Sequence, residues 1–308
     1  MKNAESVKDR LRNISKKTGK TFQQLLMEYG IERTVQRIAV SKYADHFTLK
    51  GGMLLYALFD GVYPRVTTDI DFLAERLSNN IEDMTMIFRE IFSYEADDPL
   101  VFRLDTMKVI PITEFKKYHG VRVSIMAYLD RTRIPVTVDI GFGDAIYPER
   151  SEVAFPVLLS DEIWQVYAYS LYTAVAEKFD ALVTLAYDNS RFKDYYDLYV
   201  LAVNYNFDGA ILKRAVGTTL RNRHTELNHI AAFEEGFSEH PLRKSRWNAF
   251  VRKKKPMLQI TFEDTINLIH VFMEPVINAL VNSHDINCMW NHTEKLWIDK
   301  NETVCQSH

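Results

Sequence analysis

Cysteine and long apolar runs are the features that this chain most clearly lacks. Its 308 residues include two cysteines, Cys288 and Cys305, both in the C-terminal tail. So few cysteines exclude a disulfide-stabilised scaffold and favour a reducing cytoplasm. No apolar run of about 18 residues is present, which excludes a membrane-spanning helix. The charged N-terminal sequence MKNAESVKDRLRN also lacks the apolar core of a secretory signal. We therefore expect a cytoplasmic protein with no membrane partner.

The composition is that of a globular protein whose character changes near residue 160. Hydrophobic residues make up 47% of the chain and charged residues 26%, and no repeat or low-complexity tract is evident. The first half alternates between helical and strand-like segments, whereas helical periodicity dominates the second half. We predict an α+β fold with N-terminal helices and a mostly helical C-terminal part, and two domains over 1–160 and 161–308.

Hydrophobic periodicity predicts the individual elements. A period of 3.6 residues indicates helices over 4–17, 21–41, 53–58, 81–92, 171–187, 192–204, 208–216 and 261–281. Alternation and short apolar runs indicate strands over 47–49, 68–73, 101–104, 107–112, 121–127 and 134–140. Thr21 and Gln24 have the spacing of a capping box, so the second helix is expected to start there. The tail from residue 282 shows no clear periodicity.

Positive charge is concentrated in one segment of an acidic chain. Residues 213–255 contain eleven Lys or Arg against four Glu, a formal charge of +7, whereas the whole chain carries −3 and the remainder therefore −10. Such a segment either contacts a polyanion or forms a solvated helical face. Under the first interpretation the candidate RNA-binding residues are Arg243, Lys244, Arg246, Lys253, Lys254 and Lys255.

The most informative stretch combines a glycine pair with two nearby carboxylates. Lys50-Gly51-Gly52 lies at a predicted strand-to-helix corner, where free backbone N–H groups favour an anion. Asp69 and Asp71 follow Thr68 at the i, i+2 spacing that places two side chains on one face of a strand. Neighbouring carboxylates repel unless a cation lies between them, and Mg²⁺ is the usual choice for oxygen ligands shared with phosphates. The pattern favours a metal-dependent nucleotidyl-transfer site with Mg²⁺ or Mn²⁺.

A third acid completes the candidate metal set. Asp139 stands alone in the apolar strand Val136–Ile140, an unusual place for a charge without a partner. A site that holds two divalent cations and a triphosphate commonly uses three carboxylates. Asp139 is therefore the third candidate metal ligand beside Asp69 and Asp71. The alternative is a solvated strand residue.

The second half contributes two further candidates. Lys178 lies in the predicted helix 171–187, where most lysines are surface residues. Asp194 and Asp197 share a face at the start of the next helix, where acids also complement the helix dipole. Under the functional interpretation, a lysine and an aspartate from adjacent helices close over the nucleotide.

The tail contains residues that bind zinc in other proteins. His284, Cys288 and His292 are spaced by four, and Cys305 and His308 follow. This spacing matches no common zinc finger. Three tryptophans in the second half could stack on bases or pack in the interior: Trp247, Trp290 and Trp297.

Five segments occur in an order that resembles the AbiEii/AbiGii nucleotidyltransferase toxin family, which includes the MenT toxins and is related to polymerase β. The similarity covers roughly residues 6–205. The matching segments are the N-terminal helical pair leading to KGG, then RVTTDIDF, VTVDIGFGD, AEKFDALV and RFKDYYDLYVL. The resemblance implies a mixed-sheet nucleotidyltransferase core, an NTP substrate, and a toxin of a toxin–antitoxin or phage-defence system with an antitoxin encoded alongside.

The resemblance also implies roles for single residues. Gly51 and Gly52 match the phosphate-binding motif, in which many relatives have Gly-Ser. Asp69 and Asp71 match the metal-binding pair, and Asp139 the third acid. Lys178 matches the essential lysine, Asp194 the acid of the last motif, and Arg65 a basic residue ahead of the acidic pair. Some members of the family transfer nucleotides to the 3′ end of tRNA.

We therefore expect metal-assisted transfer of a nucleotide from an NTP to RNA, with tRNA favoured. In this hypothesis Lys178 and Arg65 hold the triphosphate, and Asp139 helps to activate the attacking hydroxyl. The other predicted nucleotide-binding residues are Lys50, Gly51, Gly52 and Thr68, and Asp194 is a further predicted catalytic residue. Two alternatives stay open: a nucleotidyltransferase that modifies a protein hydroxyl, and a non-catalytic module that binds NTP and acts by interaction.

Overall fold

A computed structural model describes residues 3–63, 67–112, 120–160, 162–254 and 260–300. The chain divides into two compact units. The first comprises the described residues of Met1–Tyr63, Thr67–Asp144 and Ser151–Ala168, and the second those of Ala145–Arg150 and Tyr169–His308.

The helices of the first unit begin where the sequence supplies capping groups. They are α1 (Ala4–Thr18), α2 (Phe22–Ala39), α3 (Gly51–Leu58) and α4 (Ile81–Ser93). Asn3 caps α1, and Thr21 forms the predicted capping box with Gln24 at the start of α2. Gly19 ends α1 in the left-handed conformation, with φ at 71°. Local sequence chemistry is therefore sufficient to define both N-terminal helices.

The described part of the first unit contains one mixed sheet. Its strands are β1 (Phe47–Lys50), β2 (Ile70–Ala74), β3 (Leu100–Ile112), β4 (Gly120–Leu129), β5 (Thr132–Phe142), β6 (Ser151–Phe155) and β7 (Trp164–Ala168). Their order is β3-β4-β5-β2-β1-β7-β6. β2 pairs in parallel with β5 and antiparallel with β1, and β1 pairs in parallel with β7. The middle of the sheet therefore brings together strands from three separate parts of the sequence.

Two features of this sheet differ from the prediction. The strands predicted over 101–104 and 107–112 are one strand, β3, whose register shifts between Arg103 and Lys108. The shift interrupts the alternation, so the sequence pattern splits the strand in two. The sequence pattern also missed β6 and β7, which are five residues each and too short for a periodic signal.

The second unit is mostly helical. Its helices are α5 (Leu171–Leu185), α6 (Phe192–Asn204), α7 (Gly209–Arg223), α8 (Pro241–Lys254) and α9 (Phe262–Val281). A small sheet of order β10-β9-β8 adds β8 (Phe207–Asp208), β9 (Cys288–Asn291) and β10 (Leu296–Asp299). Hydrophobic periodicity does not reveal α8, because six of its 14 residues are basic and its apolar residues do not lie on one face. It does not reveal the β9–β10 hairpin, because each strand has four residues.

The three tryptophans of the second unit pack against its other residues. Trp247 and Trp290 are almost completely buried, and Trp297 stacks parallel to Phe272 at 6.1 Å between ring centroids. Each indole N–H donates to a backbone carbonyl oxygen, at 3.0, 2.7 and 3.2 Å respectively. These contacts satisfy the polar edge of each ring inside the protein. Trp247 and Trp290 are therefore interior residues that do not stack on bases in this conformation, whereas Trp297 is half-buried.

The predicted α+β fold, with N-terminal helices, a mixed sheet and a mostly helical C-terminal part, is confirmed. Within the part of the chain that the structure describes, no helix is both long enough and apolar enough to span a membrane.

Candidate active site

Four charged residues form a row across the middle of the sheet. Lys50 on β1 lies opposite Asp71 on β2, Asp71 lies opposite Asp139 on β5, and Asp139 lies opposite Arg122 on β4. Side chains of directly paired residues project from the same face of a sheet. The row therefore runs cation, carboxylate, carboxylate, cation on one face. The structure brings two predicted metal ligands, Asp71 and Asp139, to adjacent positions.

The glycine motif lies against Asp71. Lys50 is the N-cap residue of α3 and Gly51 is its first residue, with φ at 65°. A methyl group added at Gly51 would lie 2.8 Å from Cγ of Asp71 and would overlap its carboxylate. Glycine is required here for two reasons, the left-handed backbone and the close approach. The first backbone N–H groups of α3 therefore start directly beside a carboxylate of the row.

The structure places Asp69 outside the strand in which the sequence pattern predicts it. β2 begins at Ile70, so Asp69 precedes the strand, is exposed and accepts a hydrogen bond from the Thr68 hydroxyl at 3.3 Å. The predicted strand 68–73 starts too early because the pairing with β1 ends at Asp71 and the pairing with β5 ends at Ile70. Among the described residues, no group of three or more His, Cys, Asp or Glu is close enough to share a metal. Asp69, Asp71 and Asp139 are therefore not gathered around one point in this conformation.

Asp139 is bound by an arginine that the sequence pattern did not reveal. Nε and Nη2 of Arg122 each donate to a different carboxylate oxygen of Asp139, both at 2.7 Å. The signal that could have found Arg122 is the turn at Asp130 and Arg131, because a two-residue turn fixes the β4–β5 register. Asp130 has the positive φ, 55°, that such turns need. The lone acid in the apolar strand therefore has an intramolecular partner.

Lys50 directs its ammonium group to a second acid that was not predicted. Lys50 Nζ donates to Asp144 Oδ2 at 2.5 Å, and the two side chains are 15% and 8% exposed. Gly141 lies beneath this pair, with both the ammonium and the carboxylate 3.5 Å from the position of an added methyl group. Asp144 therefore fixes the predicted nucleotide-binding lysine at the end of β5.

Lys178 lies inside the second unit. Its ammonium donates to Asp197 at 2.7 Å and lies 3.6 Å from Asp194, whose other oxygen is 2.7 Å from Nε of Arg191. The side chains of Lys178, Asp194 and Asp197 are 9%, 2% and 0% exposed. The alternative that Lys178 is a surface lysine is wrong. Asp197 is the closer partner of Lys178, although the sequence pattern gives it no individual role.

Part of the basic segment is used within the protein. Arg223 donates to Glu177 at 2.7 Å and to Asp180 at 2.9 Å, joining α7 to α5. Arg214 lies over the ring of Tyr147, 4.4 Å from its centroid. These two arginines have structural partners, so the charge available to a polyanion is smaller than the sequence count.

Helix α8 carries most of the remaining charge. Lys244, Arg246 and Lys253 are exposed, whereas Arg243 packs on two aromatic rings of the second unit. Arg65, Lys255 and the side chain of Lys254 lie outside the described residues. Three of the six predicted RNA-binding residues are therefore exposed together on one helix.

The structure separates the histidine and cysteine residues of the tail. Cys288 starts β9, and His292 follows that strand with its ring nitrogen 2.7 Å from a side-chain oxygen of Asn206. The extended backbone removes the helical spacing that would bring His284 and Cys288 together. No group of three or more His, Cys, Asp or Glu that could hold a metal is found among the described residues, and Cys305 and His308 lie outside them.

Comparison with known proteins gives one matching family model and two solved structures that align with this chain. The family model for the nucleotidyl transferase AbiEii toxin of Type IV toxin–antitoxin systems matches residues 33–267. A structure assigned to a nucleotidyltransferase from H. pylori aligns with a TM-score of 0.51 and 15% sequence identity, covering 87% of this chain and all 100% of that chain. JHP933 from Helicobacter pylori aligns with a TM-score of 0.49 and 15% identity, covering 85% of this chain and 95% of its own. No curated protein gives a significant sequence match.

Proposed function

Because the chain belongs to the AbiEii nucleotidyltransferase toxin family of Type IV toxin–antitoxin systems, we propose that it transfers a nucleotide from an NTP to an RNA acceptor. The favoured acceptor is the 3′ end of tRNA, and the favoured metal is Mg²⁺ or Mn²⁺. The family implies an antitoxin partner, and we propose that the pair acts in phage defence.

The observation that carries this proposal is the contact between Gly51 and Asp71. A helix start that can receive phosphate oxygens lies directly beside a carboxylate that can hold a cation. Phosphoryl transfer needs these two elements next to each other, because the metal ion and the phosphate share oxygen ligands. A structural role for the glycine would not need a carboxylate within contact distance.

The reaction would be an in-line displacement at the α-phosphorus of the NTP. The acceptor hydroxyl oxygen forms a bond to the α-phosphorus, and its proton passes to water. The bond between the α-phosphorus and the oxygen that bridges to the β-phosphate breaks, so that pyrophosphate leaves. Backbone N–H groups at Gly51 and Gly52 bind phosphate oxygens, and Asp139 accepts a hydrogen bond from the attacking hydroxyl. Lys178 contributes a compact positive charge for the triphosphate, as the family resemblance implies, and Asp194 and Asp197 hold that charge in place.

The three candidate acids, Asp69, Asp71 and Asp139, fit a divalent cation in part. Asp69 and Asp71 offer carboxylate oxygens, which Mg²⁺ and Mn²⁺ prefer. Asp139 does not fit as a third ligand in the conformation described, because both its oxygens accept hydrogen bonds from Arg122. A bound cation would supply charge neutralisation for the phosphates.

The choice of RNA rests on helix α8. Its exposed residues Lys244, Arg246 and Lys253 form a positive helix on a chain whose net charge is −3. Positive groups that neutralise phosphates provide most of the non-specific affinity of proteins for nucleic acids. A protein acceptor would not require such a helix.

The test is incubation of the purified protein with each of four α-³²P-labelled NTPs, Mg²⁺ and total cell RNA or total cell protein. We expect label in the tRNA fraction, and no label with Asp69→Asn or Asp71→Asn, because each change removes a negative charge from the candidate metal ligands. Label in the protein fraction alone would support the protein-acceptor alternative. If the protein binds NTP but releases no pyrophosphate with either RNA or protein, the non-catalytic alternative is supported.

A further inference from the structure

Arg122 and Asp139 form a two-pronged ion pair. Two guanidinium nitrogens contact two carboxylate oxygens at the same distance, 2.7 Å. This fork-to-fork arrangement fixes the carboxylate plane as well as its position, which a lysine cannot do. The two residues are also directly opposite in the β4–β5 register, so the backbone already holds them together.

The pair is accessible to a substrate. The Arg122 side chain is 38% exposed and that of Asp139 is 19% exposed. An ionised carboxylate has about four lone-pair positions, of which the arginine uses two. Asp139 can therefore still accept a hydrogen bond from an incoming hydroxyl while Arg122 remains in place.

A second cation at the same carboxylate is disfavoured. A divalent ion on Asp139 would lie within a few ångströms of the guanidinium charge, and like charges at that distance repel. The guanidinium cannot lose its proton to relieve the repulsion. The other carboxylate of the row, Asp71, lies beside Gly51 and the start of α3.

We infer that Arg122 takes the place of a second metal ion. Arg122 orients Asp139, which accepts a hydrogen bond from the attacking hydroxyl, and the divalent cation is bound through Asp71 and Asp69. The inference rests on the proposed function for the identity of the hydroxyl. Arg122 is a positioning residue, since it acts through Asp139. The site would then work with one divalent ion and one arginine.

Binding of Mn²⁺ alone to the full chain, followed by electron paramagnetic resonance, tests the assignment without catalysis. We expect Asp71→Asn to weaken Mn²⁺ binding at least tenfold and Asp139→Asn to change it less than threefold. Arg122→Gln should tighten Mn²⁺ binding at least threefold or add a second ion, because it releases the Asp139 carboxylate. Equal loss of Mn²⁺ affinity in Asp139→Asn and Asp71→Asn would overturn the inference, as would unchanged binding in Arg122→Gln.

The chain offers a matched control on the neighbouring strand. Arg103 makes the same two-pronged contact with Asp105 on β3, at 3.0 and 3.1 Å. Arg103→Gln removes an arginine fork from the same sheet outside the row, and should leave Mn²⁺ binding unchanged. Thermal melts of all variants identify any that do not fold. If Arg103→Gln tightened Mn²⁺ binding as much as Arg122→Gln, the effect would be general charge removal and the inference would fail.

Kinetics provide an independent readout. Arg122→Gln and Arg122→Lys should lower kcat with the KM for NTP changed less than threefold, because the acceptor hydroxyl and not the NTP loses its orientation. Arg122→Lys should recover less than a tenth of the lost kcat, because an ammonium group cannot hold both oxygens. Full recovery by lysine would contradict the positioning role. Absence of transfer in the wild type would contradict the proposed function but would leave the Mn²⁺ result to decide the metal assignment.

Discussion

Gly51, the first residue of α3, lies so close to Asp71 on β2 that no side chain larger than hydrogen fits there without moving the Asp71 carboxylate. This contact connects the start of a helix to the acidic strand. It makes the geometry of the proposed phosphate site and of the proposed metal site depend on one residue.

Gly51→Ala should abolish nucleotide transfer. The change combines the cost of a left-handed alanine, about 1–2 kcal/mol, with displacement of the Asp71 carboxylate. Gly19→Ala is the matched control, because Gly19 has a similar φ of 71° but no atom within 4 Å of the added methyl group. Both variants should lose stability in urea, Gly51→Ala the more because its methyl group also displaces the Asp71 carboxylate, and transfer should disappear only in Gly51→Ala. Normal transfer by Gly51→Ala would show that the close approach is irrelevant to function.

Lys178→Ala should lower both stability and transfer. It leaves two almost fully buried carboxylates, Asp194 and Asp197, without their shared cation, and breaking a buried pair in this way costs about 3–5 kcal/mol. Lys178→Arg should restore the charge but little activity, because the planar guanidinium is larger than the space for an ammonium group.

The control for Lys178 is Arg223→Ala, which breaks a similar ion-pair network between α5 and α7. Both alanine variants should unfold at lower urea concentrations. Transfer per folded molecule, measured below the unfolding transition, should be lost in Lys178→Ala and retained in Arg223→Ala. Equal activity of the two folded variants would assign Lys178 a structural role only.

Substitution of Lys244, Arg246 and Lys253 by glutamine should weaken RNA binding in a salt-dependent way. Each phosphate contact contributes roughly 0.7–0.9 to the slope of log K against log salt, so the slope should become flatter by roughly 2–3 units. NTP affinity should stay within twofold. The control is a triple glutamine variant at three exposed lysines of the first unit, Lys16, Lys17 and Lys42. If the two triple variants have the same slope, α8 is a solvated helix and the protein-acceptor alternative is favoured.

Glu32 should make stability fall as pH rises. Burial raises the pKa of Glu32 from its usual 4.5 to about 7, although Arg33 beside it acts in the opposite direction. Between these two pH values the folded state binds more protons than the unfolded state. The free energy of unfolding therefore decreases from pH 4.5 to pH 7, by on the order of 3 kcal/mol for this group, and this contribution is constant above pH 7.

Glu32→Gln should remove this fall while keeping an acceptor for the Leu158 N–H, which donates to Glu32 at 2.7 Å. Urea titrations of wild type and variant at pH 5, 6, 7 and 8 measure the difference. Glu95→Gln, a change at an exposed residue, should keep the wild-type profile. Parallel profiles for wild type and Glu32→Gln would contradict the shifted pKa.

Elements with local signals can be predicted from the order of amino acids alone. The capping box at Thr21 and Gln24 defines the start of α2, and alternation defines β4 and β5 within two residues of their ends. The candidate residues Gly51, Asp71 and Asp139 are also recognisable in the sequence, because unusual charges and glycines stand out against an apolar background. These signals are carried by residues that are close along the chain.

The partners of the charged groups, in contrast, depend on how distant elements pack. Arg122 is 17 residues from Asp139 in sequence and is matched to it by strand register. Lys178 looks like a surface lysine in its own helix and becomes buried because α6 packs against α5 and supplies Asp194 and Asp197. In both cases the energy of a charge depends on groups brought near it by other elements, and neither periodicity nor composition records that proximity.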